Sequence, residues 1–229
     1  MKAKRSKHMG PVRILWYCVL VFLILGYIVV PFFYTFRQAL VTDTGYGLDV
    51  FLEYFSNENQ LQVVSNTVLL GCLSVVTCGI IGIMLALYMT FLAGRWKKVT
   101  HILLLSPMMI PGVITVISFI QIYGESGILT KALQYMLRLE EAPFQFQGLG
   151  GILFVITYTQ YVYFYLNVYV ALKYVDNSSI EAARSMGASW PQVFRDVIWP
   201  VIRPAVLSSV VVTFASGVSS FSAPNLMGG

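Results

Sequence analysis

Charged side chains are scarce in this 229-residue sequence, where they make up 11% of the residues against 57% for hydrophobic ones. With a mean hydropathy of +0.74, a water-soluble core would leave far too little polar surface. We therefore expect an integral membrane protein. The formal net charge of +5 does not require a nucleic-acid partner, because the basic residues cluster in short segments between apolar runs, as on the cytoplasmic face of a membrane protein.

Residues that usually carry chemistry are also few. Cys18, Cys72 and Cys78 lie inside apolar runs without paired spacing, so neither a disulfide framework nor a metal site is expected. There is no phosphate loop of the form G-x-x-x-x-G-K-[ST], no zinc-ligand cluster and no recognisable pairing of nucleophile and base. His8 and His101 each stand alone beside basic segments, where we expect them to be solvated or interfacial. The sequence thus predicts neither an enzyme nor a bound cofactor.

Long apolar runs dominate what is present. A run of about 20 residues spans a hydrocarbon core of about 30 Å as a helix, so the sequence predicts an all-α bundle of about five spans. A cleaved signal peptide is the alternative for the first run, which is longer than a typical signal core and lacks an evident cleavage site. The runs cover residues 14–36, 61–94, 99–123, 148–172 and 204 to the end.

Charge alternates between the connecting segments. The basic start, with Arg13, and the segment from Arg95 to Lys98 are positive, whereas the loop at 37–62 is acidic. The positive-inside rule places the N-terminus and the basic segments in the cytoplasm. We divide the chain into residues 1–60, comprising the N-terminal tail, first helix and external loop, and residues 61–229, the main transmembrane domain.

A polar island at residues 177–204 interrupts the apolar runs. The segment from Ser178 to Glu181 has the form of a capping box, and the segment from Ser189 to Gln192 repeats this start signal with a proline in the first turn. Gly187 stands between them, where a left-handed glycine ends a helix. The pattern predicts two short amphipathic helices joined by a glycine turn at the membrane surface.

The island contains Glu181-Ala182-Ala183, then Gly187 after three residues, and, after nine more, Val197 followed by Trp199 and Pro200. This spacing resembles the EAA loop of binding-protein-dependent ABC importer permeases. Val197 and Trp199 replace the isoleucine and leucine that the family usually has, which alters the shape of the surface but not its polarity. An ordinary interfacial amphipathic helix is the alternative. The residues that carry the resemblance, and to which it assigns coupling to an ATPase within the loop 177–200, are Glu181, Ala182, Ala183, Gly187 and Pro200.

The resemblance implies a MetI-like type I importer permease, nearest to the ferric-iron, polyamine and phosphonate branch. It further implies a bacterial inner-membrane location, a cytoplasmic ABC ATPase dimer that hydrolyses ATP, a second permease half and an extracytoplasmic solute-binding protein. Five spans that start inside end outside, whereas such permeases return to the cytoplasm, so a further span is expected after residue 229. An ATPase-independent channel or secondary carrier is the alternative function, and it usually carries ionisable residues within the membrane.

Three features within the spans are relevant to packing or transport. A stripe of small residues, Ser74, Cys78, Gly82 and Ala86, predicts close helix packing. Two prolines between Ser106 and Gly112 predict a kinked or locally open helix, and a helix is also expected over 128–139. In the fourth run, tyrosines share one helical face and other polar side chains share another. Interhelical hydrogen bonding and a role in the transport pathway are the two alternatives for these faces. The candidate pathway or gate residues are Ser106, Pro107, Pro111, Gln160, Tyr163 and Asn167.

Overall fold

The structure is a computed structural model that describes residues 10–42, 45–144 and 146–228. Five helical stretches in these ranges are long and apolar enough to cross a membrane, which confirms the predicted all-α, multi-span architecture. They run over Pro11–Leu40, Glu58–Leu92, Gly112–Leu137, Gly148–Leu172 and Trp190–Val218. Outside the described residues lie Lys2, Lys4, Arg5, Lys7, His8, Asp43 and Gly229.

The chain divides into two compact units, the first ending at Val63. The first unit begins with helices α1 (Pro11–Ile24) and α2 (Val30–Leu40), joined through a π-helical turn that precedes Pro31. The segment that follows, predicted as a loop, contains a two-stranded antiparallel hairpin, β1 (Val41–Thr42) and β2 (Gly45–Tyr46), and a helix α3 (Asp49–Ser56).

The second unit, from Val64 onward, contains most of the helices. Helix α4 (Glu58–Leu87) continues through a π-helical turn to Leu92. Short helices α5 (Lys97–Leu105) and α6 (Gly112–Tyr123) are separated by the proline segment, and α7 (Ile128–Leu137) ends two residues before the predicted limit. Helix α8 (Gly148–Leu172) coincides with the fourth predicted run.

The last part of the chain differs from the prediction. After α9 (Asn177–Ser185), helix α10 (Trp190–Val193) runs through a π-helical turn into α11 (Trp199–Val218). The second helix of the polar island is therefore not separate, because it forms the start of the fifth span. Pro204, predicted to begin that span, lies inside α11.

Helix α11 ends at Val218, before the end of the last apolar run. A further helix, α12 (Ser222–Met227), follows, and it packs against α6 and α8. Its buried residues, Ala223 and Met227, belong to an apolar cluster with Val116 and Ile152. Burial of these two side chains explains a helix that local sequence signals did not indicate.

Close packing of α4 is confirmed at the predicted stripe, where Ser74, Cys78, Gly82 and Ala86 are all buried. A Cβ atom built on Gly82 lies 2.8 Å from the carbonyl oxygen of Tyr161 and 2.8 Å from the amide nitrogen of Tyr165, and closer still to Phe164 Cβ. Only a residue without a side chain allows α8 to approach this closely.

The apolar cluster at the C-terminal end of α8 extends beyond the spans. It includes Tyr165 and Val168 of α8, Ile180 of α9, Val193 of α10 and Ile202 of α11. The polar island is therefore anchored on one side by apolar side chains in the same core as α8.

The contact at Gly82 generates a stability prediction. Gly82→Ala places a methyl group against backbone atoms of α8, and overpacking of this kind costs about 1–3 kcal/mol. We expect Gly82→Ala to lower the free energy of unfolding, measured by titrating the purified chain in mixed micelles with a denaturing detergent.

Gly79→Ala is the matched control, because its Cβ would lie 3.5 Å from the Phe164 ring, an ordinary contact. Since alanine favours a helix over glycine by about 1 kcal/mol, this variant should be neutral or slightly more stable. Equal destabilisation by both substitutions would contradict the assigned packing.

Candidate functional site

The N-cap of helix α9 lies two residues before the Ser178 position that the sequence predicted. Its N-cap is Asp176, whose Oδ1 accepts the Ser178 backbone N–H at 2.9 Å and whose Oδ2 accepts the Ser178 hydroxyl at 2.7 Å. The predicted capping box at Ser178 and Glu181 is therefore wrong, because the carboxylate of Asp176 takes the free amide first. These two hydrogen bonds, the hydroxyl one foremost, lower the pKa of Asp176 from its ordinary value.

The end of α9 is the predicted glycine turn. Gly187 has φ of +88°, in the left-handed region. Its N–H donates to the Arg184 carbonyl at 3.0 Å, and the Ala188 N–H donates to the Ala183 carbonyl at 3.0 Å. This pair of bonds is a Schellman motif, which satisfies the last carbonyls of the helix.

The helix after this turn begins at its predicted cap. The backbone N–H of Ser189 donates to Oε1 of Gln192 at 2.7 Å, and Pro191 lies in the first turn. Pro200, which the resemblance assigns to coupling, is exposed near the start of α11. It thus lies in the continuous helix from Trp190 to Val218 and not in a separate surface helix.

The described surface of the island has an anchored side and an open side. Ile180 is 8% exposed and Val193 is 1% exposed, so both lie in the core. Glu181, Ala182 and Gly187 are exposed, and Ala183 is half-buried. The structure therefore brings four of the five predicted coupling residues onto one short helix and its turn, held from behind by apolar contacts.

The predicted break in the third run is present. Helix α5 ends at Leu105, a 3₁₀ turn covers Ser106–Met109, and α6 begins after Pro111. The carbonyls freed here find protein donors: the Ser106 hydroxyl donates to the Leu103 carbonyl at 2.8 Å, and the Tyr161 hydroxyl donates to the Leu104 carbonyl at 2.9 Å. Pro107 is buried and Pro111 is exposed.

The amide face of α8 packs against α11. Asn167 Nδ2 donates to the Ser209 Oγ at 3.0 Å, and the Ser209 hydroxyl contacts the Tyr163 carbonyl at 3.4 Å. Gln160 Oε1 is buried without a hydrogen-bond partner in the described part of the chain. Interhelical bonding thus explains Asn167, while Gln160 retains an unmet acceptor.

The opposite face of α8 carries a contact that the sequence reasoning missed. His101 Nδ1 lies 2.5 Å from the hydroxyl of Tyr165, and its ring centroid lies 5.0 Å from that of Tyr169. His101 is therefore not simply solvated. No local signal links residues 64 positions apart, although a tyrosine face on α8 needs polar partners. Across the described residues no three His, Cys, Asp or Glu side chains are placed to hold a metal ion.

Comparison with known proteins agrees with this architecture. Residues 79–229 match the family described as "Binding-protein-dependent transport system inner membrane component". The chain is 29% identical over 212 residues to the probable ABC transporter permease protein y4fN of Sinorhizobium fredii (strain NBRC 101917 / NGR234), with 92% of this chain and 37% of that protein covered.

The names of two further relatives state the solute that each transports. The ferric transport system permease protein FbpB of Actinobacillus pleuropneumoniae is 26% identical over 171 residues, which cover 74% of this chain and 24% of that protein. The spermidine/putrescine transport system permease protein PotB of Haemophilus influenzae (strain ATCC 51907 / DSM 11121 / KW20 / Rd) is 24% identical over 210 residues, 89% of this chain and 73% of that protein. The chain thus spans 37% of the length of the y4fN protein and 24% of the length of FbpB.

A solved structure shares the fold. A chain of the bacterial alginate ABC transporter, crystallised in complex with an alginate pentasaccharide-bound periplasmic protein, superposes with a TM-score of 0.73 at 19% identity. The match covers 87% of this chain and 70% of that one. The predicted permease-type helical fold is thereby confirmed.

The bond between Tyr161 and the broken helix generates a prediction. Tyr161→Phe removes the donor to the Leu104 carbonyl in a part-buried hydrogen bond, and a fully buried carbonyl left without its donor costs about 1–3 kcal/mol, which is the upper bound here. We expect a lower free energy of unfolding in mixed micelles and faster amide exchange at Ser106–Met109 by hydrogen–deuterium exchange.

Tyr158→Phe is the control, because the Tyr158 ring packs on Phe119 with a centroid distance of 5.1 Å and its hydroxyl has no hydrogen-bond partner among the described residues. It should leave both measurements unchanged. If Tyr158→Phe had the larger effect, the Tyr161 hydroxyl would not be the donor that holds the break.

Proposed function

Because the chain belongs to the family of binding-protein-dependent transport system inner membrane components, we propose that it is the permease subunit of an ATP-driven importer. The observation that carries the proposal is the exposed helix α9 with its left-handed Gly187 turn, anchored behind by Ile180 and Val193. A surface helix that is fixed to the bundle core moves with it as a rigid body, so a displacement of the helix is transmitted to the bundle.

The coupling surface is proposed to comprise Glu181, Ala182, Ala183 and Gly187, with Pro200 at the start of the fifth span. These residues dock on a cytoplasmic ABC ATPase dimer, which hydrolyses ATP in place of this subunit. Ala182 and Ala183 have small side chains beside the acidic Glu181, so the backbone of α9 lies close to the surface that covers these two alanines. Met186, which is 82% exposed at the end of the helix, adds an adaptable apolar contact.

Orientation follows from charge. The basic segment at Arg95–Lys98 and the island at Asn177–Trp199 are proposed to face the cytoplasm of a bacterium, with the N-terminus on the same side. The basic segment follows the second span, and the island follows the fourth span and continues into the start of the fifth. The acidic segment that contains Glu53 then faces outward, where an extracytoplasmic solute-binding protein delivers the solute.

The pathway is proposed to run beside the broken helix, with Ser106, Pro107 and Pro111 as its gate. A helix interrupted at membrane depth is tolerated where protein or water satisfies its backbone. The Tyr161 hydroxyl and the Ser106 hydroxyl meet that requirement here.

The polar face of α8 is the second part of the proposed pathway. Gln160 is the stronger candidate for contact with water or solute, because its buried oxygen lacks a partner. The Asn167 side chain and the backbone carbonyl of Tyr163 contact the Ser209 hydroxyl, so these two residues are proposed to act on the pathway through the packing of α8 and α11. A second permease half, identical or homologous, completes the path from the other side. The proposed solute is ferric iron, or a small solute of the polyamine or phosphonate type.

Gly187 offers the sharpest test of coupling. A Cβ atom at this position would meet nothing within 4 Å, so the demand for glycine comes from φ of +88° and not from space. Gly187→Val, which resists a left-handed conformation, should abolish ATP-driven uptake while the protein remains inserted. Gly187→Asn, which adopts that conformation more readily, should retain most of the uptake.

Uptake is measured in membrane vesicles that contain the whole transporter, with insertion checked by immunoblot. Gly94→Val is a positional control, because a Cβ there also meets nothing within 4 Å and no left-handed φ is required. Wild-type uptake by Gly187→Val, with normal association of the ATPase, would contradict the assignment of α9 as the coupling helix.

A further inference from the structure

Three basic side chains converge on one aromatic ring at the C-terminal end of α8. Lys173 Nζ lies 4.9 Å from the centroid of the Tyr169 ring, and Lys97 Nζ lies 6.0 Å from the same centroid. The ring of His101 lies 5.0 Å away, centroid to centroid. Lys97 and His101 occupy successive turns of α5, and Lys173 directly follows α8.

The base of this cluster is rigid. Tyr169 stacks on Tyr165 at a centroid distance of 5.7 Å and an interplanar angle of 21°. Tyr165 is fully buried, and its hydroxyl lies 2.5 Å from His101 Nδ1. The buried Tyr165 therefore positions both the Tyr169 ring and His101, and the two lysines pack against the Tyr169 ring.

The charges of the cluster are not balanced by carboxylates. In the described ranges the one ion pair within 4.0 Å joins Arg195 to Asp196, so neither Lys97 nor Lys173 has an acidic partner at that distance. A π face is a weak partner for an ammonium group, and it leaves the three N–H donors of each lysine largely unused. Two ammonium groups within 6.0 Å of one ring also repel each other.

We propose that Lys97, His101 and Lys173 around Tyr169 form a binding site for a phosphate-type oxyanion. A tetrahedral oxyanion presents several acceptor oxygens and more than one negative charge, which suits donors that arrive from two ammonium groups and an imidazole. The second nitrogen of His101 has no hydrogen-bond partner among the described residues, and it is a donor in the tautomer in which Nδ1 accepts from the Tyr165 hydroxyl.

General positive charge at a cytoplasmic face is the simpler explanation for basic residues here. A comparison of Lys97 with its neighbour Lys98 separates this explanation from a specific binding site. Lys98 neighbours Lys97 in the sequence but is exposed, whereas Lys97 is half-buried, and Lys98 contacts no described aromatic ring. If charge alone attracted anions, Lys98 would serve as well as Lys97. The convergence on Tyr169 distinguishes a built site from a charged surface.

The oxyanion has two chemical sources, a phospholipid headgroup or a free solute such as inorganic phosphate. The cluster lies at the end of α8, four residues before Asn177 at the start of α9, and Trp96 beside it is exposed as at a membrane interface. Binding of an anion at this site does not depend on whether the chain transports a solute, so the proposal can be tested separately from the proposed transport function.

The test uses the full chain purified in an uncharged, phosphate-free detergent. The melting temperature is measured in sodium phosphate and in sodium chloride at equal ionic strength. We expect a phosphate-specific rise that is lost in the double variant Lys97→Gln, Lys173→Gln. The rise should persist in the matched variant Lys98→Gln, Lys131→Gln, which removes the same charge from exposed positions.

The lipid arm uses native mass spectrometry after mixing the same proteins with phosphatidylglycerol. Retention of this lipid by the wild type, lost in the Lys97, Lys173 variant and kept in the matched variant, supports the site with a headgroup as its source, even where inorganic phosphate has no effect. The variant Lys97→Arg, Lys173→Arg keeps both positive charges and should retain binding. A melting temperature of the glutamine variant in sodium chloride equal to that of the wild type shows that its loss of binding does not come from loss of folding.

The proposal is overturned if neither anion source binds the wild type, or if the two glutamine pairs lose binding equally. Binding that the Lys97, Lys173 variant retains unchanged also overturns it.

Discussion

Close approach between α4 and α8 is the contact on which the rest of the second unit depends. In lipid there is little hydrophobic drive for one helix to pack on another, so association depends on dispersion at short range and on hydrogen bonds. Gly82 allows the backbone of α8 to lie where any side chain would collide with Tyr161 and Tyr165. Thr77 and Thr157 add a hydroxyl pair at 2.7 Å across the same interface. Helix α8 is thereby fixed by its neighbours.

A fixed α8 links two features that are far apart in the sequence. Its end leads through Val175 to Ile180, which lies in the same apolar cluster and anchors α9. Its tyrosine face holds α5 through the Tyr161 hydroxyl and through His101. Under the proposed function, a displacement of α9 passes to α8 as a rigid body and from there to the broken helix at Ser106–Met109. The weak point is the 3₁₀ turn, where few backbone bonds resist movement.

Local signals in the sequence predicted those features that one segment determines by itself. The bounds of α8, the break at Ser106–Pro111 and the left-handed turn at Gly187 follow from apolar length, proline and glycine, each of which acts within a few residues. The N-cap of α9 was misplaced because Asp176 competes with Ser178 for the same role. Contacts such as His101 with Tyr165, and the helix α12, depend on tertiary burial and could not be read from spacing.

The central claim is that α9 docks on a cytoplasmic ATPase, and site-directed cross-linking tests it most directly. In a chain that lacks Cys18, Cys72 and Cys78, a cysteine at exposed Ala182 is compared with one at Tyr135, which is 87% exposed on α7. The account predicts that Ala182→Cys forms a cross-link to the ATPase subunit whose yield changes when ATP is bound, and that Tyr135→Cys forms none. A cross-link from Tyr135→Cys, with none from Ala182→Cys, would contradict both the docking surface and the proposed orientation.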